Sequence, residues 1–498
     1  MSVRRDWVVL GGLLALCLAH GLWVTRGLVV PPDLDALRDI GFAQGVRDGN
    51  WWGDPAYAGA VRYYPPLVPA LGAVVAWAMR SADLPSLWVQ LGPWLGLLPV
   101  LMFFGLARAA LAPGAAVVAT AIFVLWNGAI APPWVAGGYA PWLFAPVLSQ
   151  AAFCAVAWLM VRLVSGGRWW AALLLGAAIG LTFLAHVIPA LLLTAMLVAA
   201  AWVGQGLRWR MVGWLALAGA VQALVMGVYL LPLLLAYPGG VVHLPPGAWV
   251  ADELRPNAAA LLGLAAMNAP WLLAVALLRR RGWPAGMPGA MLAVWVAVCL
   301  AVLARHFDCA GAESGACTVL RMPVHHFHLY LQVAGALLIG QALSLRPLAP
   351  RALALLLLAG GVMLWGRPYD ATARASAAPF DRAAYQWVLA NTQPSDTVVT
   401  AGRTDRDGDF DPAAFAVMAA GRHLLAVNTL FSNPYLDWPA REAARQQALA
   451  WIAGAAGDGP CALARWAMLP EAVPVAAERA QLVAETPVDR IFRLRCAD

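Results

Sequence analysis

Lysine is absent from the 498 residues, and no Asp or Glu falls inside the long apolar stretches. All 33 basic residues are arginine, set against 26 acids for a net charge of +7, a bias we read as genomic composition rather than function. Charged residues make up only 12% of the chain and hydrophobic ones 62%, whereas a soluble domain carries about 25% charged residues. That deficit excludes an ordinary soluble globular fold, because the apolar excess has to be buried in lipid. Walker, dinucleotide-binding and heme-attachment signatures are missing, as are internal repeats and low-complexity linkers. Nothing points to nucleic acid.

Apolar stretches of about 20 residues recur through the first 366 positions, and that length crosses a bilayer as a helix. The sequence predicts a mainly α protein with about eleven spans. They lie near 7–28, 86–107, 114–131, 143–163, 169–185, 188–205, 211–236, 257–278, 287–304, 322–344 and 352–366. The loops then alternate in charge. One set holds Arg4, Arg5, Arg108, Arg162, Arg168, Arg208, Arg210, Arg279, Arg280, Arg281, Arg346 and Arg351, with Asp6 as its only acid. The positive-inside rule assigns this set to the cytoplasm. Residues 65–82 are apolar enough to pass for a span, but counting them would flip every later loop. They read instead as an interfacial or re-entrant helix. Arg4 and Arg5 precede a long apolar run, read as an uncleaved first span, with a cleaved signal as the alternative. The expectation is a multi-pass bacterial inner-membrane protein, N-terminus in the cytoplasm, C-terminal domain in the periplasm.

The division expected is a membrane module over 1–366, with a large first outer loop at 30–85, and a soluble domain over 367–498. In the latter, helices are predicted near 380–391, 411–421 and 438–454, and strands at 397–401, 423–427, 462–469 and 489–496, giving a small α/β domain. Cys17, Cys154 and Cys299 lie in spans as packing residues. Cys309 with Cys317, and Cys461 with Cys496, are plausible disulfides in an oxidising compartment.

The first outer loop is dense in chemistry. Asp33, Asp35 and Asp39 cluster at the exit of the first span, and Asp35 and Asp39 share a helix face if the segment is helical. Asp48, Trp51, Trp52, Asp54, Arg62, Tyr63, Tyr64, Pro65 and Pro66 follow. A carboxylate at the bilayer surface serves as general base on an acceptor hydroxyl. Paired carboxylates also hold Ca or Mg against a phosphate, the one cofactor this loop admits. Interfacial aromatics suit sugar stacking or headgroup contact. A solvated acidic loop with a Trp belt is the plain alternative.

The strings "PDLDALRD", "DGNWWGDPAY" and "RYYPPL" resemble the GT-C superfamily of integral-membrane glycosyltransferases. There an acidic motif opens a large outer loop, and two interfacial helices follow. "YYPPL" is most similar to the arabinofuranosyltransferase branch. The resemblance covers the whole chain, since many members end in a soluble outer domain. It implies a catalytic base at Asp35, with Asp33 as the alternative because the acids here are split by Leu34. It also implies inversion at the anomeric carbon.

Other candidates lie further along. His186 sits at the outer turn between the fifth and sixth spans, where a polar residue is expensive and functional by default; a His hydrogen-bonded at the helix turn before Pro189 is the plain alternative. A His-containing string at this hairpin also fits the GT-C resemblance. "RMPVHHFHLYLQ" offers Arg321 as a phosphate clamp and His325, His326 and His328 as phosphate or sugar contacts. Structural interfacial His is the plain alternative, zinc is the lesser reading, and no metal ligands are assigned. "TDRDGDFDP" loosely resembles a calcium loop but lacks the final Glu. Asn428, Asn433, Tyr435 and Trp438 are candidates for an acceptor groove, with an ordinary loop as the alternative.

The acidic motif faces the side where nucleotide sugars are absent, which favours a lipid-linked donor. The sequence reading is therefore transfer of a sugar, arabinofuranose by preference, from a polyprenyl-phosphate carrier to a glycan, lipid or protein acceptor. The alternative is a transporter or flippase, which predicts ionisable residues within spans and often repeated halves.

Overall fold

Long apolar runs without acids form helices because a helix satisfies every backbone group internally where water is absent. The computed structural model describes residues 3–32, 34–127, 137–143, 145–240, 242, 258–309, 324–343, 348–375, 380–402, 411–428, 431–457 and 459–496. It is mainly helical. Among the described residues six helical segments are long and apolar enough to cross a membrane: Arg5–Val24, Leu84–Ala110, Ala145–Gly166, Val187–Gln205, Trp209–Ala236 and Gly286–Ala304. Helices also occur at the other expected spans, including Pro113–Leu125, Trp169–Ala185, Ala258–Arg281, Val324–Leu343 and Leu348–Leu364. Leu67–Ala78, at the segment read as interfacial, has 12 residues, too short at about 1.5 Å per residue to cross a bilayer of about 30 Å.

The chain divides into two compact units. The first comprises Met1–Gly27, Gln90–Val228 and Val250–Ala373; the second comprises Leu28–Val89, Tyr229–Trp249 and Arg374–Asp498. In the first, Leu97–Ala110 packs on Ala145–Leu163, Val187–Gln205 on Gly286–Cys309, and Ala258–Arg281 on Val324–Leu343. Phe103 and Phe123 stack at 4.1 Å. Asp6, the one acid of the arginine-bearing loops, is buried and paired with Arg108 at 2.8 Å. The expected span at 86–107 is interrupted at Gly96, where an added Cβ would lie 2.1 Å from the carbonyl oxygen of Ala140.

The second unit holds a five-stranded sheet of order β2-β1-β3-β5-β4. Its strands are β1 (Thr397–Thr400), β2 (His423–Leu424), β3 (Trp466–Pro470), β4 (Ala480–Glu485) and β5 (Asp489–Leu494). β1 pairs in parallel with β2 and β3, while β5 runs antiparallel to β3 and β4. Three helices accompany the sheet: Arg382–Asn391, Pro412–Ala419 and Trp438–Ile452. Each starts at an aspartate, Asp381, Asp411 or Asp437, whose carboxylate accepts an N–H of its first turn, satisfying an otherwise orphaned donor. A disulfide joins Cys461 and Cys496. The Cys309–Cys317 pairing falls outside the described residues, as does most of the calcium-like string. Its last aspartate, Asp411, is spent on capping.

Candidate active site

The acidic motif becomes the Leu34–Arg47 helix of the second unit. Asp35 stands in its first turn, where a negative charge meets the positive end of the helix dipole. Ten of the fourteen residues are buried, which is possible because the helix packs on both Leu67–Ala78 and Pro412–Ala419. Gly41 permits the second crossing, since a Cβ there would lie 2.3 Å from the carbonyl oxygen of Met418.

Arg38 organises the carboxylates. Its Nη1 donates to Asp35 Oδ1 at 2.8 Å, and its Nε and Nη2 donate to Asp39 Oδ1 at 3.2 and 3.0 Å. Its guanidinium lies 3.7 Å from the centre of the Tyr64 ring. Burial opposes the Arg38 charge, but Asp35 and Asp39 outweigh it and hold the pKa above the usual arginine value. Asp35 keeps much of its side chain exposed, at 45%, whereas Asp39 is fully buried. Burial pushes Asp39 up to about 6, against the pull of Arg38. Its Oδ2 has no hydrogen-bond partner among the described residues.

A second layer forms from a short hairpin. Gly53 bridges Val61, and Arg62 N–H donates to the carbonyl of Trp52 at 2.7 Å. This leaves Trp51 and Trp52 exposed and turns Asp54 and Arg62 inward. Asp54 accepts from the N–H of Ala56 at 2.8 Å and from Asn433 Nδ2 at 2.9 Å. Burial pushes it up to about 6. Arg62 is 1% exposed and sits with its guanidinium carbon 4.6 Å from the Phe42 ring centre. Its Nε and Nη2 meet no acceptor among the described residues, and burial pushes its pKa down to about 10. Asn433 also donates to the carbonyl of Val61 at 3.0 Å, and Tyr237 stacks on Tyr435 at 5.0 Å. Tyr63 donates from its hydroxyl to the carbonyl of Phe431 at 3.0 Å.

Asp35, Asp39, Arg62, Tyr63, Tyr64, Asn433 and Tyr435 thus lie in one unit, on the Leu34–Arg47 helix, the hairpin and the 428–437 segment. Asp33 lies outside the described residues. Sequence reasoning passed over Arg38, although its position three residues after Asp35 and beside Asp39 carried the signal. It also passed over Asp54 as a site residue, and Tyr237, whose partners are distant in sequence.

The histidines belong to the first unit. His186 caps the Val187–Gln205 helix, with Nδ1 accepting from the N–H of Ile188 at 3.4 Å. Its ring centre lies 4.5 Å from that of His326. His328 Nδ1 lies 3.4 Å from Gln332 Nε2, and Gln332 Oε1 accepts from the N–H of Gly137 at 3.1 Å. Arg321 and the His325 side chain lie outside the described residues. Among the described residues no group of three or more His, Cys, Asp or Glu side chains has metal-binding geometry.

No protein-family model and no curated protein sequence matches the chain. Solved structures do match. ArnT from Cupriavidus metallidurans bound to undecaprenyl phosphate aligns with a TM-score of 0.57 at 13% identity, covering 99% of this chain and 98% of that one. The apo state of the same protein gives 0.54 at 14% identity over 99% and 98%. The oligosaccharyltransferase AglB from Archaeoglobus fulgidus, in complex with an inhibitory peptide and a dolichol-phosphate, gives 0.51 at 12% identity over 94% and 70%. These neighbours are GT-C glycosyltransferases, and the chain has the GT-C fold.

Proposed function

We propose that the protein is an inverting glycosyltransferase that moves a sugar from a polyprenyl-phosphate carrier to a hydroxyl acceptor at the outer face of a bacterial inner membrane. The observation that carries this is the buried Arg62 guanidinium, whose Nε and Nη2 meet no acceptor among the described residues, in the same unit as Asp35, a carboxylate whose side chain is 45% exposed. Asp54 and Asp39 act on the Arg62 charge, but a buried guanidinium with unsatisfied donors is still costly, and a guanidinium suits phosphate oxygens. The neighbours bound to undecaprenyl phosphate and dolichol-phosphate support a lipid-phosphate donor.

In the proposed reaction the acceptor oxygen attacks the anomeric carbon. Asp35 takes the acceptor proton as the new C–O bond forms. The bond from the anomeric carbon to the phosphate oxygen breaks, and the polyprenyl phosphate leaves with the electron pair. Arg62 receives the phosphate charge. Arg38 holds Asp35 in place and Asp39 anchors Arg38 from behind. A single displacement of this kind inverts the anomeric centre. Asp33 is the alternative base, and Arg321, His186, His325, His326 and His328 are further candidates for contact with the donor. Trp51 and Trp52 offer exposed faces for sugar or headgroup.

Arabinofuranose is the sugar we favour, on the "YYPPL" string alone; mannose and aminoarabinose compete with it. The acceptor is a cell-surface glycan, lipid or protein. The test is sugar transfer by the purified protein in lipid vesicles, across polyprenyl-phosphate arabinofuranose, mannose and aminoarabinose. Transfer from one donor supports the class and names the sugar. No transfer from any donor by folded protein contradicts the proposal.

A further inference from the structure

A cavity of about 480 Å³ opens in the first unit, far along the chain from the acidic motif. It lies where two tight turns meet, one between Ala145–Leu163 and Trp169–Ala185, the other between Val187–Gln205 and Trp209–Ala236. Gly167 and Gly206 make these turns at φ +55° and +74°, a region that favours glycine. Two side chains tie the turns together. Gln205 Nε2 donates to the carbonyl of Val164 and Trp214 Nε1 to the carbonyl of Arg168, both at 2.9 Å. The walls are low because glycines line them; a Cβ added at Gly213 would meet nothing within 4 Å.

Two features give the cavity a chemistry. The first is uncompensated positive charge. Arg208 and Arg210 line it, and neither has a carboxylate within ion-pairing distance among the described residues. The sequence contains no Asp or Glu between Asp83 and Asp252, so those helices and turns bring no acid of their own. The second is position. Trp169, Trp202 and Trp209 surround the turns with 67%, 62% and 88% of their surface exposed. Exposed tryptophans at the ends of apolar helices mark the headgroup level of a bilayer. A basic pocket between membrane helices at that level fits a lipid phosphate.

We propose that this cavity binds the anionic headgroup of a glycerophospholipid, with Arg208 and Arg210 on the phosphate and Trp169 against the glycerol and upper chain. Free phosphate shares the anion chemistry, but exposed tryptophans favour a ligand that is held at the bilayer surface. The site is built from residues of the first unit, whereas Asp35 belongs to the second, and it does not depend on which sugar is transferred.

The test is native mass spectrometry of the purified full chain in detergent, titrated with phosphatidylglycerol, phosphatidylcholine or inorganic phosphate. Wild type is expected to retain one phosphatidylglycerol in clear preference to phosphatidylcholine, and inorganic phosphate at equal concentration is expected not to displace it. The double variant Arg208→Gln, Arg210→Gln is expected to bind phosphatidylglycerol at least about tenfold more weakly. Gly213→Leu adds bulk at the cavity lining and leaves both charges, and is expected to weaken binding as well. Both variants alter exposed positions, and an unchanged melting temperature confirms that they fold. Equal binding of the two lipids, or undiminished binding in both variants, overturns the proposal. Displacement by inorganic phosphate overturns it in favour of a soluble anion, and full binding by Gly213→Leu alone places the lipid outside the cavity and also overturns it.

Discussion

Arg38 donates from both Nε and Nη2 to one oxygen of Asp39, and the other oxygen is buried with no donor among the described residues. The pair fixes the guanidinium from behind, so that its remaining edge meets Asp35 at 2.8 Å. On the proposed reading Asp39 is a positioning residue and Asp35, with 45% of its side chain exposed, is the base.

Removing Asp39 leaves the buried Arg38 one carboxylate short. Breaking such a buried pair costs about 3–5 kcal/mol. Asp39→Ala is expected to lower the melting temperature in detergent sharply. Asp39→Asn, which keeps an acceptor for Arg38, recovers part of the loss. Equal stability of Asp39→Ala and wild type contradicts the anchoring role.

Asn433 is wholly buried and donates to Asp54, the Val61 carbonyl and the Tyr237 hydroxyl. Asn433→Ala strips Asp54 of its side-chain donor, at a cost of about 1–3 kcal/mol for an unsatisfied buried acceptor. Thermal melting reads the change. A variant with wild-type stability and altered acceptor affinity assigns Asn433 to the acceptor groove instead.

Asp489 at the start of β5 is 3% exposed. Burial, with Asp411 and Asp381 nearby, pushes its pKa up to about 7. Asp39 and Asp54 shift the same way, to about 6. A carboxyl whose folded pKa is raised favours the folded state fully below its ordinary pKa of about 4, and that contribution is lost as pH rises through the folded value. Stability is thus expected to fall between about pH 4 and pH 7 on account of these groups. Asp489→Asn is expected to raise the melting temperature at pH 8 and flatten the profile; an unchanged profile contradicts the assignment.

The Cys461–Cys496 disulfide closes a loop with a sequence separation of 35 residues. Reduction, or Cys461→Ser, is expected to cost about 2–4 kcal/mol, seen as a lower melting temperature of the second unit. No difference between oxidised and reduced protein contradicts this.

How far the sequence led varies with the physics involved. Acid-free apolar runs located helices, and six of the eleven expected spans correspond to described helical segments long and apolar enough to cross a membrane. The aspartates at 381, 411 and 437 mark helix starts directly. β4 went unpredicted, since Ala480–Glu485 buries only its first residue and pairs with β5 alone, so it lacks the alternation that betrays a half-buried strand. The close approach of Gly96 to the Ala140 carbonyl is a contact distant in sequence. In the candidate site, Asp35 and Asp39 were visible as spaced acids. The ties of Asp54 to Asn433 and of Tyr63 to Phe431 span more than 360 positions, and no local pattern encodes them.

The most direct measurement is turnover of the purified protein in lipid with its preferred polyprenyl-phosphate sugar, wild type beside Asp35→Asn. The account predicts transfer by wild type and a loss of at least about a hundredfold in kcat in the variant, with undiminished binding of the carrier lipid and an unchanged melting temperature. Full transfer by a folded Asp35→Asn enzyme contradicts the assignment of Asp35 and moves the base to Asp33 or Asp39.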